Sequence, residues 1–525
     1  AGGWVGRTGI DPDPGSGKCK IRPGAADGGS GRAPCHRVRA GGACGGLRTP
    51  GMFADVELTF RGGLNRLQRT LTMELPKYFL ADLPSEAELT PTILADACET
   101  LKRNREIYLP EWSTTKLIGV FDQLGRDWLD PEYPFRKLAL EQGPSATGFS
   151  RATLEQGLNG LFESLTSKAL EQLIVQDLGH LDRFDGFQAS QSEPGNGSVG
   201  RTRGAELIAQ ISAGLIPNSI VLTILYGMLT RSAQVVKCGS GATFLPRLFA
   251  HSLYQMVPKL GACLEIVEWR GGDSGLEAVL FEKADCVVAS GSDETLTSIR
   301  QRLPARSRFL GYGHRVSFGF VATDVLSTSS LSGVVGKAAV DVAAWDQLGC
   351  LSPHVFYVEH GGRVSAEQFA EALGKELDRL EQIQPRGSLA PDQAAVLRTR
   401  RGFYELRASA LEETQLWASQ DSTAWTVVYE ADPLFQMSCL NRFIYVKGVT
   451  DLKQALEGAD AVRHKVSTVG LASAGVRGED LAGELAAWGV PRICELGRMQ
   501  KPPLTWRHDG RPALGDLALW TDWER

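Results

Sequence analysis

Cys350 stands in the run Trp345-Asp346-Gln347-Leu348-Gly349-Cys350-Leu351-Ser352-Pro353, between two contrasting patterns. Before it, residues 334–345 are rich in Ala and Val and read as a helix that ends near Leu348-Gly349. After it, Pro353 blocks further helix, and Val355-Phe356-Tyr357-Val358 reads as a strand. A thiol delivered where a helix breaks is well placed to attack a carbonyl carbon. The attacking species is the thiolate, and a free cysteine has a pKa of about 8.5, so such a thiol needs donors or the positive ends of dipoles close by. The other reading is a buried structural cysteine, since cysteine is among the most buried residue types. His354 lies four residues on. In extended chain that is about 13 Å away at ~3.3 Å per residue, too far for a Cys–His pair unless Ser352-Pro353 turns tightly.

Three further turns carry polar groups at strand ends. In Val235-Val236-Lys237-Cys238-Gly239-Ser240, Lys237 and Ser240 could hold a ribose hydroxyl or a phosphate, or Lys237 could simply cap a sheet edge in water. Ala289-Ser290-Gly291-Ser292-Asp293-Glu294 ends a strand and opens a helix. Backbone N–H groups there favour an anion such as pyrophosphate, although a Ser/Asp helix cap has the same composition. Gly311-Tyr312-Gly313-His314-Arg315 offers an acid–base group and an anion clamp, or two side chains that satisfy buried carbonyls. Arg270, after a strand ending at Trp269, could recognise a 2′-phosphate or be a surface charge.

The elements that would position these residues alternate. Strands are expected at residues 233–238, 263–269, 285–289 and 308–311, and helices at 206–212, 220–230, 244–256 and 294–302. That alternation implies a parallel, doubly wound sheet, which binds ligands at the carboxyl ends of its strands. Lys237, Gly271 and Gly291 fall at those ends. Earlier, residues 56–60 alternate like a strand, and 86–103 and 153–172 have helical spacing, the latter opened by Ser150. Later come helices at 365–380, 391–408, 451–456 and 478–488, strands at 424–430 and 442–446, and a short strand or turn at 468–471. The tail from Arg492 reads as an irregular closing segment.

Composition narrows the class. The chain has 525 residues, 43% hydrophobic and 22% charged, with net charge −5. These are ordinary values for a globular protein, and no basic excess argues for nucleic acid. The apolar stretch of residues 215–229 is broken by Pro217-Asn218-Ser219 and falls short of the roughly 20 residues a membrane span needs. Ten scattered cysteines without CxxC pairs or His/Cys clusters fit reduced thiols in a cytoplasm better than a disulfide frame or a metal site. Residues 1–51 are crowded with Gly, Arg and Pro, and read as a disordered leader that is not native, with Met52 as the natural start.

The order of these pieces resembles the LuxC family, the fatty acyl-CoA reductases of bacterial bioluminescence and their relatives, a divergent branch of the aldehyde dehydrogenase superfamily. The matching segments run from Ala213-Gly214-Leu215-Ile216-Pro217 through 235–240, 264–272, 288–295, 312–320, 345–359, 433–446 and 467–471 to 489–510. The resemblance implies an α/β fold with a Rossmann-type nucleotide-binding domain, residues 52–323, an α/β catalytic domain, 324–490, and a closing or oligomerisation segment, 491–525. It makes Cys350 the catalytic thiol, Lys237 the cofactor-ribose lysine and Gly291-Ser292 the pyrophosphate turn. It implies NADPH as cofactor, a fatty acyl-CoA or acyl-protein as substrate, an acyl-protein synthetase as partner, and a homo-oligomer. Two departures stand out. Leu215 occupies a position where the family usually has Asn, which leaves Asn218 as a candidate oxyanion donor. Residues 311–320 hold no carboxylate, whereas hydrolytic aldehyde dehydrogenases carry a glutamate base there. A reductase releases aldehyde and gains nothing from a group that activates water. An acid-forming aldehyde dehydrogenase and a non-catalytic acyl-binding subunit remain open alternatives.

Overall fold

A computed structural model describes residues 75–84, 86–189, 198–212, 214, 216–327 and 329–524. They fall in one compact unit, Leu71–Arg525. The expected leader and the strand at 56–60 lie outside the described residues.

Five helices come first: α1 (Pro91–Tyr108), α2 (Thr114–Leu129), α3 (Pro134–Thr147), α4 (Arg151–Phe162) and α5 (Ser167–Leu178). Thr90, Ser113, Ser150 and Thr166 cap four of them, each hydroxyl accepting a backbone N–H of the first turn. The single helix expected over 153–172 is two, because Thr166 captures Ala169 N and starts a new axis.

Strands β1 (Val199–Arg203), β2 (Leu207–Ile211), β3 (Ala233–Cys238), β4 (Leu264–Glu268), β5 (Cys286–Ser290) and β6 (Arg308–Tyr312) follow, with α6 (Pro217–Leu229) and α7 (Phe244–Met256) between them. Strands β2 to β6 form a parallel sheet in the order β4-β3-β2-β5-β6. Residues 206–212, expected as a helix, are its middle strand. Leu207, Ile208, Ala209 and Gln210 are all buried, and a short run buried on both faces carries no period that separates strand from helix. Residues of α6 and α7 pack with Val236, Cys238 and Ile266 on one face, and residues of α1 pack with Leu207, Ala209 and Val235 on the other. The chain order reverses between β2 and β5, which opens a crevice at their carboxyl ends.

The second sheet holds β7 (Val316–Val321), β8 (Pro353–Glu359), β9 (Thr414–Ala418), β10 (Thr426–Glu430), β11 (Phe443–Val449), β12 (Val466–Ala472) and β13 (Ile493–Glu495), in the order β13-β12-β7-β8-β11-β10-β9. Only β9 runs antiparallel to its neighbour. Its faces are covered by separate apolar clusters. The change of sheet comes between Tyr312 and Val316, so a division at 323/324 would leave β7 with the wrong sheet. Likewise β13 extends this sheet beyond residue 490. The last strand, β14 (Leu519–Trp523), pairs antiparallel with β1. Among the described residues, no helix is long and apolar enough to cross a membrane.

Candidate active site

Three residues, Gly313–Arg315, connect β6 to β7. They span at most about 11 Å, so the carboxyl end of β6 lies close to the amino end of β7. Cys350 lies at that amino end, three residues before β8, the middle strand of seven. Ser317 at the start of β7 donates its hydroxyl to Cys350 O at 2.8 Å and ties the cysteine to the connection.

The chain reaches Cys350 through an unusual turn. The helix Leu331–Ala343 ends, and Trp345, Asp346 and Gln347 follow in left-handed conformation, with φ of 50°, 51° and 65°. Left-handed backbone costs non-glycine residues energy, of order 1–3 kcal/mol each, and persists only where contacts enforce it. Those contacts are present. The Trp345 ring lies against Gly157 of α4, where a Cβ would sit 2.0 Å from it, and meets Phe149 edge-on. Asp346 Oδ1 accepts from Arg442 Nε and Nη2 at 3.0 and 2.7 Å, and its Oδ2 accepts from Gly387 N. Gln347 Nε2 donates to Pro353 O and Phe443 O at 2.8 and 2.9 Å. A second left-handed turn, Leu440-Asn441-Arg442 (φ 65°, 56° and 64°), faces the first and supplies Arg442.

Among the described cysteines, Cys350 alone is exposed; Cys98, Cys238, Cys263 and Cys286 are buried, and Cys439 and Cys494 half-buried. Protein nevertheless surrounds it densely. The resulting loss of solvation, with the nearby Asp509 carboxylate, pushes its thiol up to about 11, against weaker opposition from Arg315 and Arg492. The thiol therefore rests protonated and must lose its proton to react.

His354 does not pair with Cys350. It is buried on β8, its Nδ1 accepts Ser438 N at 3.1 Å, and burial pushes it down to about 4. Arg315 pairs with Asp509 at 3.0 Å. Asp509, with φ 54°, keeps its other oxygen buried and without a hydrogen bond. Beside it His508 stacks on Tyr312 at 4.7 Å, and burial lowers its pKa. The Asn218 amide donates to Gly157 O at 3.5 Å and is engaged with α4 rather than with the cysteine turn, while Oδ1 is buried without a partner. Two residues earlier, Ile216 Cδ1 lies 3.1 Å from where a Cβ of Gly349 would be.

The cofactor candidates gather at the carboxyl ends of the first sheet. Lys237 is buried near the end of β3 with its ammonium over the Trp269 ring at 5.8 Å, and burial lowers its pKa. Ser240 and Arg270 are exposed in the turns after β3 and β4. Ser292 caps the helix Asp293–Arg302 by accepting Thr295 N, and Gly291 precedes it after β5. Asp293 in that first turn faces Lys465 at 3.1 Å, which offsets the charge it would present to an anion. A Cβ at Gly241, Gly271 or Gly272 would meet nothing within 4 Å, so these turns are open. A dinucleotide fits this donor set: an ammonium, hydroxyls, and a helix start at the crevice between β2 and β5.

Glu268, Asp509 and Gln500 went unnoticed in the sequence. Glu268 ends β4 and accepts Gly241 N and the Thr243 hydroxyl, shaping the turn after Lys237. An acidic residue closing the strand beside a Gly/Ser turn is a usable signal. Trp506-Arg507-His508-Asp509-Gly510, polar groups beside a large aromatic, was a weaker one. Gln500 carried none.

Comparison with known proteins agrees with this architecture. Solved structures of similar fold include the putative aldehyde dehydrogenase PutA from Anabaena variabilis (TM-score 0.61, 14% identity, 83% of this chain and 93% of that one). Another is an NAD-dependent benzaldehyde dehydrogenase from Corynebacterium glutamicum (TM-score 0.62, 13% identity, 84% and 90%). The fold is thus aldehyde dehydrogenase-like. Curated relatives include the long-chain acyl-protein thioester reductases of Aliivibrio fischeri, 24% identical over 420 residues, and Photorhabdus luminescens, 25% identical over 420. Each alignment covers 78% of this chain and 82% of the relative. The family model described as acyl-CoA reductase (LuxC) matches residues 109–520, and the chain belongs to that family.

Proposed function

We propose that this protein reduces a long-chain fatty acyl thioester, carried on coenzyme A or on an acyl-protein, to the aldehyde, through an S-acyl intermediate on Cys350 and with NADPH as reductant. The observation that carries this is the exposed thiol of Cys350, held by a strained turn where the ends of two sheets meet. Cys350 loses its proton, and the thiolate attacks the acyl carbonyl. The C–S bond to the donor breaks, the leaving thiolate takes up a proton, and the acyl group stays on Cys350. Splitting one difficult transfer into two steps is the advantage of a covalent intermediate. A reduced nicotinamide, when bound, supplies hydride for the second step. Lys237, Ser240, Gly291 and Ser292 would hold the dinucleotide, and Arg270 its 2′-phosphate. Cys350 then leaves as thiolate and regains a proton as the aldehyde departs.

The relatives' name favours an acyl-protein donor, and with it a synthetase partner that loads the acyl group. The lack of a carboxylate in residues 311–320 favours aldehyde as product. Asp509 favours the second reading, in which a carboxylate near Cys350 activates water and acid is formed. Palmitoyl-CoA without cofactor should add one acyl mass to the protein, detected by mass spectrometry, and Cys350→Ala should abolish it. Added NADPH should discharge the adduct as aldehyde, faster than NADH does. An adduct that persists in Cys350→Ala, or a product that is acid, would overturn the proposal.

A further inference from the structure

The turn that follows β13 is held unusually firmly. Asp341, from the helix Leu331–Ala343, accepts Gly497 N and Met499 N at 2.6 and 3.0 Å. Arg492 donates to Met499 O and Arg498 O at 2.7 and 2.9 Å. Asp341 and Arg492 are both buried, as is Met499. Gly497 adopts φ +82°, and a Cβ there would press on Lys337 at 3.1 Å. What this braced turn presents is Gln500. Its Nε2 donates to Ser352 Oγ, two residues after Cys350. Its Oε1 and Nε2 lie 3.1 and 3.2 Å from where a Cβ of Gly349 would be, one residue before Cys350. A Cβ at 349 would crowd this amide.

Attack on an acyl carbonyl creates an oxyanion beside Cys350, and preorganised donors aimed at that charge are commonly the largest source of acceleration. Most polar side chains around the turn are already committed. Ser317 gives its hydroxyl hydrogen to Cys350 O. Gln347 spends both amide hydrogens on Pro353 O and Phe443 O. Asn218 directs its amide at Gly157 O of α4, and no contact among the described residues ties it to the run from Gly349 to Ser352. A glutamine amide has two donors. Gln500 uses one on Ser352, and among the described residues the other has no partner.

We infer that the free amide hydrogen of Gln500 binds the oxyanion formed at Cys350, making Gln500 a catalytic residue supplied by the C-terminal segment. The inference rests on acyl transfer to Cys350 as proposed above. The backbone N–H groups of the turn act with it, and Ser352 fixes the amide's orientation.

The test compares two reactions of the same thiol in the full-length protein. Acylation by palmitoyl-CoA passes through an oxyanion; alkylation by iodoacetamide does not. Gln500→Met keeps the bulk and lacks the donor. Its acylation should slow by about 10²-fold, the usual effect of losing one such donor, with alkylation of Cys350 nearly unchanged. Gln500→Asn, which keeps an amide but withdraws it by one methylene, should fall between. Ser352→Ala should slow acylation much less than Gln500→Met does. Equal acylation in wild type and Gln500→Met would overturn the inference alone. A parallel loss of alkylation would also overturn it by reducing Gln500 to a support of the turn. No acylation of the wild type would sink the parent proposal and this inference together.

Discussion

At the scale of single residues, the resting state of Cys350 is the quantity that matters. Loss of solvation raises its thiol first, and the Asp509 carboxylate raises it further, to about 11. Near neutral pH the thiolate is then a small fraction that grows tenfold per pH unit. Alkylation by iodoacetamide should rise with that slope and show no plateau between pH 7 and 9. Asp509→Asn removes the unfavourable charge, so the whole profile should move to lower pH and the rate at pH 8 should increase. A plateau below pH 8 in the wild type, or no shift in the variant, would contradict the electrostatic account. Lys237 shows the opposite arrangement, since burial lowers the pKa of a cation where it raises that of a thiol. Glu277, Cys238 and Glu268 oppose that fall at Lys237.

At the scale of elements, the turn that leads to Cys350 depends on its partner turn. Three left-handed residues before Leu348 and three before Phe443 are held together by Asp346 and Arg442, whose side chains are 4% and 1% exposed. Removing one member of a buried, hydrogen-bonded pair leaves the other charge uncompensated, which typically costs 3–5 kcal/mol. Arg442→Met should therefore lower the urea midpoint by an amount equivalent to about 3–5 kcal/mol. It should also slow acylation of Cys350 in whatever fraction remains folded. Replacing both partners with apolar residues should cost less than Arg442→Met alone. Had the turn been relaxed, neither change would be felt at a cysteine several residues away.

At the scale of the molecule, the closing segment is woven into both halves. Leu504 and Leu514 are buried in the cluster formed by α2 to α7, and Leu517 packs with Ile208 and Cys286. The same segment brings Gln500 to Ser352 and Asp509 near Cys350, and ends as β14 beside β1. Leu514 is fully buried, so Leu514→Ala should cost about 2–5 kcal/mol, measured as a fall in denaturation midpoint. A loss under 1 kcal/mol would mean that the tail is only laid on the surface.

Much of this was legible in the chain itself. The alternation of strands and helices from residue 233 to 311 specifies a parallel sheet with polar turns at the carboxyl ends of its strands, because side-chain period and turn chemistry are local properties. Cys350 stood out for the same reason: helix, glycine, thiol and proline lie within a few residues. Residues 206–212 misled, since a strand buried on both faces loses the period that would reveal it. What the tertiary structure alone decided is who stands beside the thiol. Gln500 reaches Ser352 across 148 residues, and Arg442 reaches Asp346 across 96. Such contacts follow from sheet order and from the bracing of distant turns, and no pattern within one segment encodes them. Composition and spacing determined the sheet, its turns and the place of Cys350 between a helix and a strand; the packing of two sheets and a returning tail determined which groups surround that cysteine, because burial and hydrogen bonding are settled between segments rather than within them.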